Sequence, residues 1–297
     1  MTTSLIDPVP TDTLTGTLTD AAGDARRALM APVAAPTGRA GVLAAATTVA
    51  GRTLRQFVRT PQLIVVSSIQ GAMFLLIFRY VFGGAIDVGS GVPYVDFLVP
   101  GFVVTGVLFS GMGAAAGVAD DIDKGFFDRL RSLPVSRSAL LGGRSLADTA
   151  LVTWGLVITI AIGFLVGFRI HGSVGEALAA FGLCVVYGFA FTWVFICIGL
   201  LAGSAQAAQG MSLLVFPFTF VSSAYVPVDT MPGWMQPIAE HQPITAMSNA
   251  VRSLTLGSPE LAGLDGTTSS YVLTSLIWCV GLVAVFAPIA VARYRKG

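Results

Sequence analysis

Apolar residues run in blocks long enough to cross a bilayer at six places, about 62–82, 97–118, 149–168, 177–202, 210–228 and 270–292. A spanning helix needs roughly 20 such residues. The fifth block holds Pro217 in its middle and Pro227 at its end, so a kinked helix is expected there. Two longer intervals separate the blocks. One is Ala119–Asp148, which carries ten of the chain's formally charged residues. The other, 229–269, holds Pro232, Pro237, Pro243 and Pro259 beside Trp234, Met235 and Ile238. Prolines and aromatics at a membrane surface predict short helices that partly re-enter or cap the bundle. The expected fold is all-α: a polytopic membrane protein of six spans, residues 61–297.

Two segments precede the first span. Residues 1–40 are rich in Thr, Pro, Ala and Asp without an apolar stretch, which reads as a disordered cytoplasmic tail and not a cleavable signal. In 41–60, Leu43, Ala46, Ala50, Leu54 and Phe57 share one helical face, and Arg52, Arg55 and Arg59 project from the other. Such a helix lies in the membrane interface. It is either a plain anchor or an anchor that also touches a partner.

Composition agrees with the pattern: of 297 residues 54% are hydrophobic and 11% charged, with mean hydropathy +0.79. Soluble chains carry about 25% charged residues. With both termini inside, fourteen Lys and Arg fall on the cytoplasmic side and three (Arg79, Arg169, Arg252) outside. The positive-inside rule therefore predicts an N-in, C-in topology. A net charge of +1 with no basic stripe gives no footprint for nucleic acid.

Several chemistries lack their residues. A phosphate-binding loop needs a glycine followed by lysine, yet Lys124 and Lys296 are the only lysines and neither follows a glycine. His171 and His241 form no nucleophile–base pattern, so no catalytic residue is assigned. Cys184, Cys197 and Cys279 lie in apolar runs without metal or disulfide spacing, so no metal site is expected. The cores of the six blocks hold essentially no charge, which weighs against ion-coupled transport. Gly113/Gly117 and Gly199/Gly203 make G-x-x-x-G pairs suited to close helix packing.

Within the charged interval, a helix over 122–133 would gather Ile122, Phe126, Leu130 and Leu133 on one face, with Phe127 at its shoulder and Lys124, Asp128 and Arg131 opposite. Asp121 and Asp123 at its start suit a helix dipole. Pro134 ends it, and Ser136 can cap a second helix leading to the third span. From periodicity alone it fits equally a helix flat on the headgroups and a knob for a groove in a soluble partner.

The run from Asp123 to Arg137 resembles the cytoplasmic loop of type-2 ABC exporter permeases, particularly the daunorubicin-resistance group. Gly125, Asp128, Arg129, Leu130, Ser132, Pro134, Val135 and Arg137 match, while Asp123 stands where Glu is frequent. A second segment, Met231-Pro-Gly-Trp234, Gln242-Pro243-Ile-Thr245, Ala250-Val-Arg252 and Gly257, resembles the same group's external motif, with Gln242 where Asn is usual.

This resemblance implies the membrane subunit of an ATP-driven exporter, paired with a second permease half of the same or another kind. ATP and magnesium would sit on separate ABC ATPase subunits, and this chain itself would bind no cofactor. It implies a coupling helix at about Asp121–Leu133 that docks into the ATPase. Asp123, Gly125, Phe126, Phe127, Asp128, Arg129, Leu130, Arg131 and Pro134 form that contact; Phe126, Phe127 and Leu130 are the buried members. The 41–60 helix resembles the group's connecting helix. A mostly apolar path between the halves favours a drug, lipid or natural product as cargo, with Phe102, Phe109, Phe216 and Phe220 as candidate path residues. A secondary transporter, or a pore or scaffold without ATP coupling, is the alternative.

Overall fold

The computed structural model describes residues 51, 71–84, 92–125 and 137–296, whose regular elements are all helices joined by turns, with no strand among them. The nine helices labelled below are α1 (Gly71–Phe82), α2 (Tyr94–Asp123), α3 (Arg137–Leu165), α4 (Val174–Leu201), α5 (Ala205–Ser212), α6 (Val215–Phe220), α7 (Gln236–Glu240), α8 (Pro243–Leu256) and α9 (Thr268–Lys296). Four of them, α2, α3, α4 and α9, are long and apolar enough to cross a membrane. The tail 1–40 lies outside the described residues, as do 62–70 of the first block and all of the 41–60 helix except Gly51.

α2 and α4 form the centre. About two thirds of their apolar windows are buried, 61% and 67%, against 28% for α3 and 17% for α9. The outer pair therefore turns Trp154, Val157, Leu273, Ile277 and Val280 outward, as helices do when lipid replaces water as their solvent. Glycines set the central distance. A Cβ on Gly199 of α4 would lie 2.5 Å from the Ala115 carbonyl oxygen and 2.8 Å from Val118 Cβ of α2. Gly199→Val should therefore cost about 1–3 kcal/mol through overpacking, read as a lowered unfolding temperature in detergent. Its expected G-x-x-x-G partner Gly203 packs on nothing and instead ends α4 with φ +68°, a conformation natural to glycine.

The fifth block departs from expectation. It is not one kinked helix: α5 and α6 are separate short helices, and the chain then turns through Val221–Val226. Pro217 lies in the first turn of α6 and has no amide to carry the ladder back toward α5, which fits the break between the two. The proline-rich interval 229–269 does fold as short helices. Its longest, α8, starts with Pro243 in the first turn, ends on Gly257 at φ +82°, and buries most of its length against α2, α4 and α9. All three cysteines are buried free thiols.

Candidate functional site

Three groups of residues stand out, at the loop-bearing end of the bundle, along its middle, and at the distal end. At the loop end, α2 continues past the apolar block to Asp123, and Gly125 closes it with φ +62°. This corrects the expected coupling helix: Asp121 and Asp123 are the last turn of α2, not the first turn of a new helix, and any helix in the loop begins after Gly125. Nothing between Val118 and Asp123 breaks a helix, so the spanning helix simply runs on. Phe126, Phe127, Asp128, Arg129, Leu130, Arg131 and Pro134 lie outside the described residues; Asp123 is exposed and Gly125 half-buried.

Acidic residues at a helix C-terminus oppose its dipole, and cations answer them here. Lys124 Nζ donates to Asp120 at 2.6 Å on the surface. Arg144 of α3 donates through Nη1 to Asp121 at 2.5 Å and through Nε to Asp148 at 2.8 Å, with all three side chains buried. The charged interval thus partly belongs to buried helix, and α3 begins at Arg137, twelve residues ahead of the apolar block. Sequence reading missed this triad, although the i,i+4 spacing of Arg144 and Asp148 was a signal.

In the middle, the structure joins the four phenylalanines through one residue the sequence did not single out. Phe109 of α2 meets Phe216 of α6 at 5.7 Å between ring centroids, and Phe216 meets Phe220 at 5.0 Å. Tyr225 then takes Phe220 at 5.2 Å, Phe102 at 6.3 Å and Phe78 of α1 at 4.9 Å. Phe102 is buried, Phe109 and Phe216 are half-buried, and Phe220 is exposed. The Tyr225 hydroxyl donates to Thr105 at 3.0 Å, which anchors the row to α2.

At the distal end, Arg252 of α8 is fully buried and binds backbone instead of a carboxylate. Its Nε donates to the Phe97 carbonyl at 2.8 Å, and Nη2 to the carbonyls of Ala224, at 2.9 Å, and Ser223. Nη1 reaches Ser223 Oγ and Asn249 Oδ1 at 3.3 Å each, while the guanidinium stacks 3.6 Å over the Phe97 ring. Burial pulls this guanidinium down to about 9, so it stays cationic at neutral pH. The remainder of the second sequence motif serves the same turn: Gln242 donates to the Val221 carbonyl, and Thr245 Oγ1 accepts the Ser223 amide at 3.1 Å. Gly101 of α2 lets that turn sit directly on the helix, since a Cβ there would fall 2.6 Å from the Ala224 carbonyl carbon. Among the described residues no group of His, Cys, Asp or Glu could hold a metal.

Apolar helices around a glycine-fitted centre, with the buried Arg144 triad toward one end and the carbonyl-bound Arg252 toward the other, define a multi-pass α-helical membrane protein. The family model for ABC-2 type transporters matches residues 45–256. The chain is 34% identical over 261 residues to the daunorubicin resistance ABC transporter permease protein DrrB1 of Streptomyces coeruleorubidus, covering 87% of this chain and 88% of that one. It is 26% identical over 250 residues to the probable doxorubicin resistance ABC transporter permease protein DrrC of Mycobacterium tuberculosis, covering 82% and 86%. With the inner membrane transport permease YadH of Escherichia coli it shares 25% over 234 residues, 75% and 87% of the two chains. The chain belongs to the ABC-2 type transporter family, as a permease.

Proposed function

We propose that this permease moves an amphipathic or hydrophobic cargo out of a bacterial cell, driven by ATP hydrolysed on separate ABC ATPase subunits. The observation that carries the cargo class is the aromatic row from Phe109 to Tyr225, which offers ring faces and no ion pair. Drug resistance in the names of the two relatives supports an anthracycline-like compound as a first probe. The chain crosses the membrane six times with both ends inside: α2, α3, α4 and α9, a first span at 62–82, and a fifth in which α5 and α6 make a broken crossing. Fourteen of seventeen Lys and Arg are then cytoplasmic, which supports this orientation. The interval 229–269 is the external cap of a permease domain at 61–297, preceded by an interfacial helix at 41–60 and a tail at 1–40. Two halves, identical or not, enclose the path between them.

The loop after Gly125 docks into the ATPase through Phe126, Phe127 and Leu130, with Asp128, Arg129 and Arg131 around them. An anchoring aromatic contributes about 2 kcal/mol, roughly 30-fold in affinity. The double variant Phe126→Ser/Phe127→Ser should therefore insert normally, lose the co-purifying ATPase, and lose ATP-driven uptake of daunorubicin into inverted vesicles. Normal recovery of the ATPase with normal uptake would remove the docking assignment. Uptake that follows an ion gradient and ignores ATP would instead establish the secondary-transporter alternative.

A further inference from the structure

Arg144 is placed where stability alone gives it no reason to be. Burying three charges costs several kcal/mol per ion, and a well-packed apolar trio is often at least as stable; the best-attested use of such a cluster is to impose one geometry. Here the geometry fixed is that between α2 and α3, at the ends from which the loop springs. Asp121 lies four residues before Gly125, and Arg144 seven after Arg137, so both stems of the loop are tied by one guanidinium. Gly117 makes the seat: a Cβ there would meet Arg144 Nη2 and come within 3.4 Å of Cζ. The G-x-x-x-G residue expected to pack helix backbones therefore accommodates the arginine, while Gly113 packs on nothing within 4 Å.

The same close fit continues up the pair. A Cβ on Gly155 would lie 2.8 Å from Ser110 Oγ, one on Gly106 3.4 Å from Thr159 Oγ1, and one on Gly163 2.7 Å from Val99. Small residues thus close the α2–α3 seam from the loop end to the turn that Arg252 holds. Densely packed pairs of this kind move as rigid bodies rather than bending.

We propose that Arg144 is a positioning residue for energy coupling: with Asp121, Asp148 and the Gly117 notch it locks α2 and α3 into one stiff lever, so that displacement of the loop is delivered to the distal end. This rests on the loop being the ATPase contact, and the experiment separates the two. Ile122 and Leu146 are exposed and flank the triad, so spin labels at Ile122→Cys and Leu146→Cys report the lock by pulsed electron resonance. The full-length permease with its cognate ATPase should show one label distance, the same without nucleotide and when trapped with ATP and vanadate. Gly117→Leu, which unseats the guanidinium, and the milder Asp148→Asn should broaden that distance. Both should keep the bound ATPase and its hydrolysis, while daunorubicin efflux falls roughly two- to thirty-fold, the span such coupling positions carry.

A label distance that changes on trapping in the unaltered chain overturns the lever even where the ATPase binds. Unchanged distance and efflux in Asp148→Asn and Gly117→Leu overturn the role of Arg144. Absence of any bound ATPase in the unaltered chain removes the coupling reading instead, and the nucleotide-free label distances still decide the lock.

Discussion

Arg252→Met should lower the unfolding temperature of the detergent-solubilised permease more than Gly199→Val does. The methionine fills much of the space but donates nothing. It strands the carbonyls of Ser223 and Ala224 and breaks the bond to the Phe97 carbonyl on α2, while Asn249 Oδ1 keeps the Ser223 hydroxyl at 2.8 Å. Each buried acceptor left unmatched costs about 1–3 kcal/mol. Some of these groups will find other partners, so a total on the order of 3–5 kcal/mol is expected, or about 6–20 °C at roughly 2–4 °C per kcal/mol. Arg252→Lys should recover little of it. An ammonium keeps the charge but cannot fork to Phe97 on α2 and to two successive carbonyls of the turn, nor stack flat on the Phe97 ring. Circular dichroism melts of the three proteins in one detergent measure this; a lysine variant as stable as the parent would show that charge, and not the fork, holds the turn.

The four long helices were legible because the bilayer imposes a length and a composition together, and α2, α3, α4 and α9 answer both. Their ends were not. Asp121 and Arg144 read as loop because charge inside a spanning helix is costly, and the partners that offset it include one 23 residues away, which sequence spacing does not reveal. The clamp was half visible. The segment from Gln242 to Gly257 carried a motif, but Arg252 binds Phe97 across 155 positions through a main-chain oxygen, and a carbonyl acceptor leaves no mark on residue identity. The same holds for Gly101, one glycine among 34 in the chain. The phenylalanine row was reachable only as candidates: apolar composition supplies aromatics, whereas Tyr225 joins them because the fifth block breaks into two short helices and a turn, where the hydropathy pattern suggested one kinked helix.

Two glycines in the same helix should respond in opposite directions to the same added methyl group. At Gly113 of α2 nothing lies within 4 Å of the new Cβ, so Gly113→Ala adds only helix propensity and should stabilise by about 0.5–1 kcal/mol. At Gly101 the methyl would land 2.6 Å from the carbonyl carbon and 2.7 Å from the Cα of Ala224, and backbone cannot swing aside as a side-chain tip can. The turn must lift. That withdraws the Ser223 and Ala224 carbonyls from Arg252 and draws the Tyr225 hydroxyl away from Thr105. Overpacking alone costs about 1–3 kcal/mol, and the lost bonds to a buried cation add to it, each worth roughly 1.5–3 kcal/mol. Gly101→Ala should therefore approach Arg252→Met in its loss of stability. Because both changes act on one turn, the double variant should fall well short of the sum of the two single losses. Additive losses would mean that Gly101 and Arg252 support separate structures, and the distal end would then have to be described as two contacts instead of one clamp.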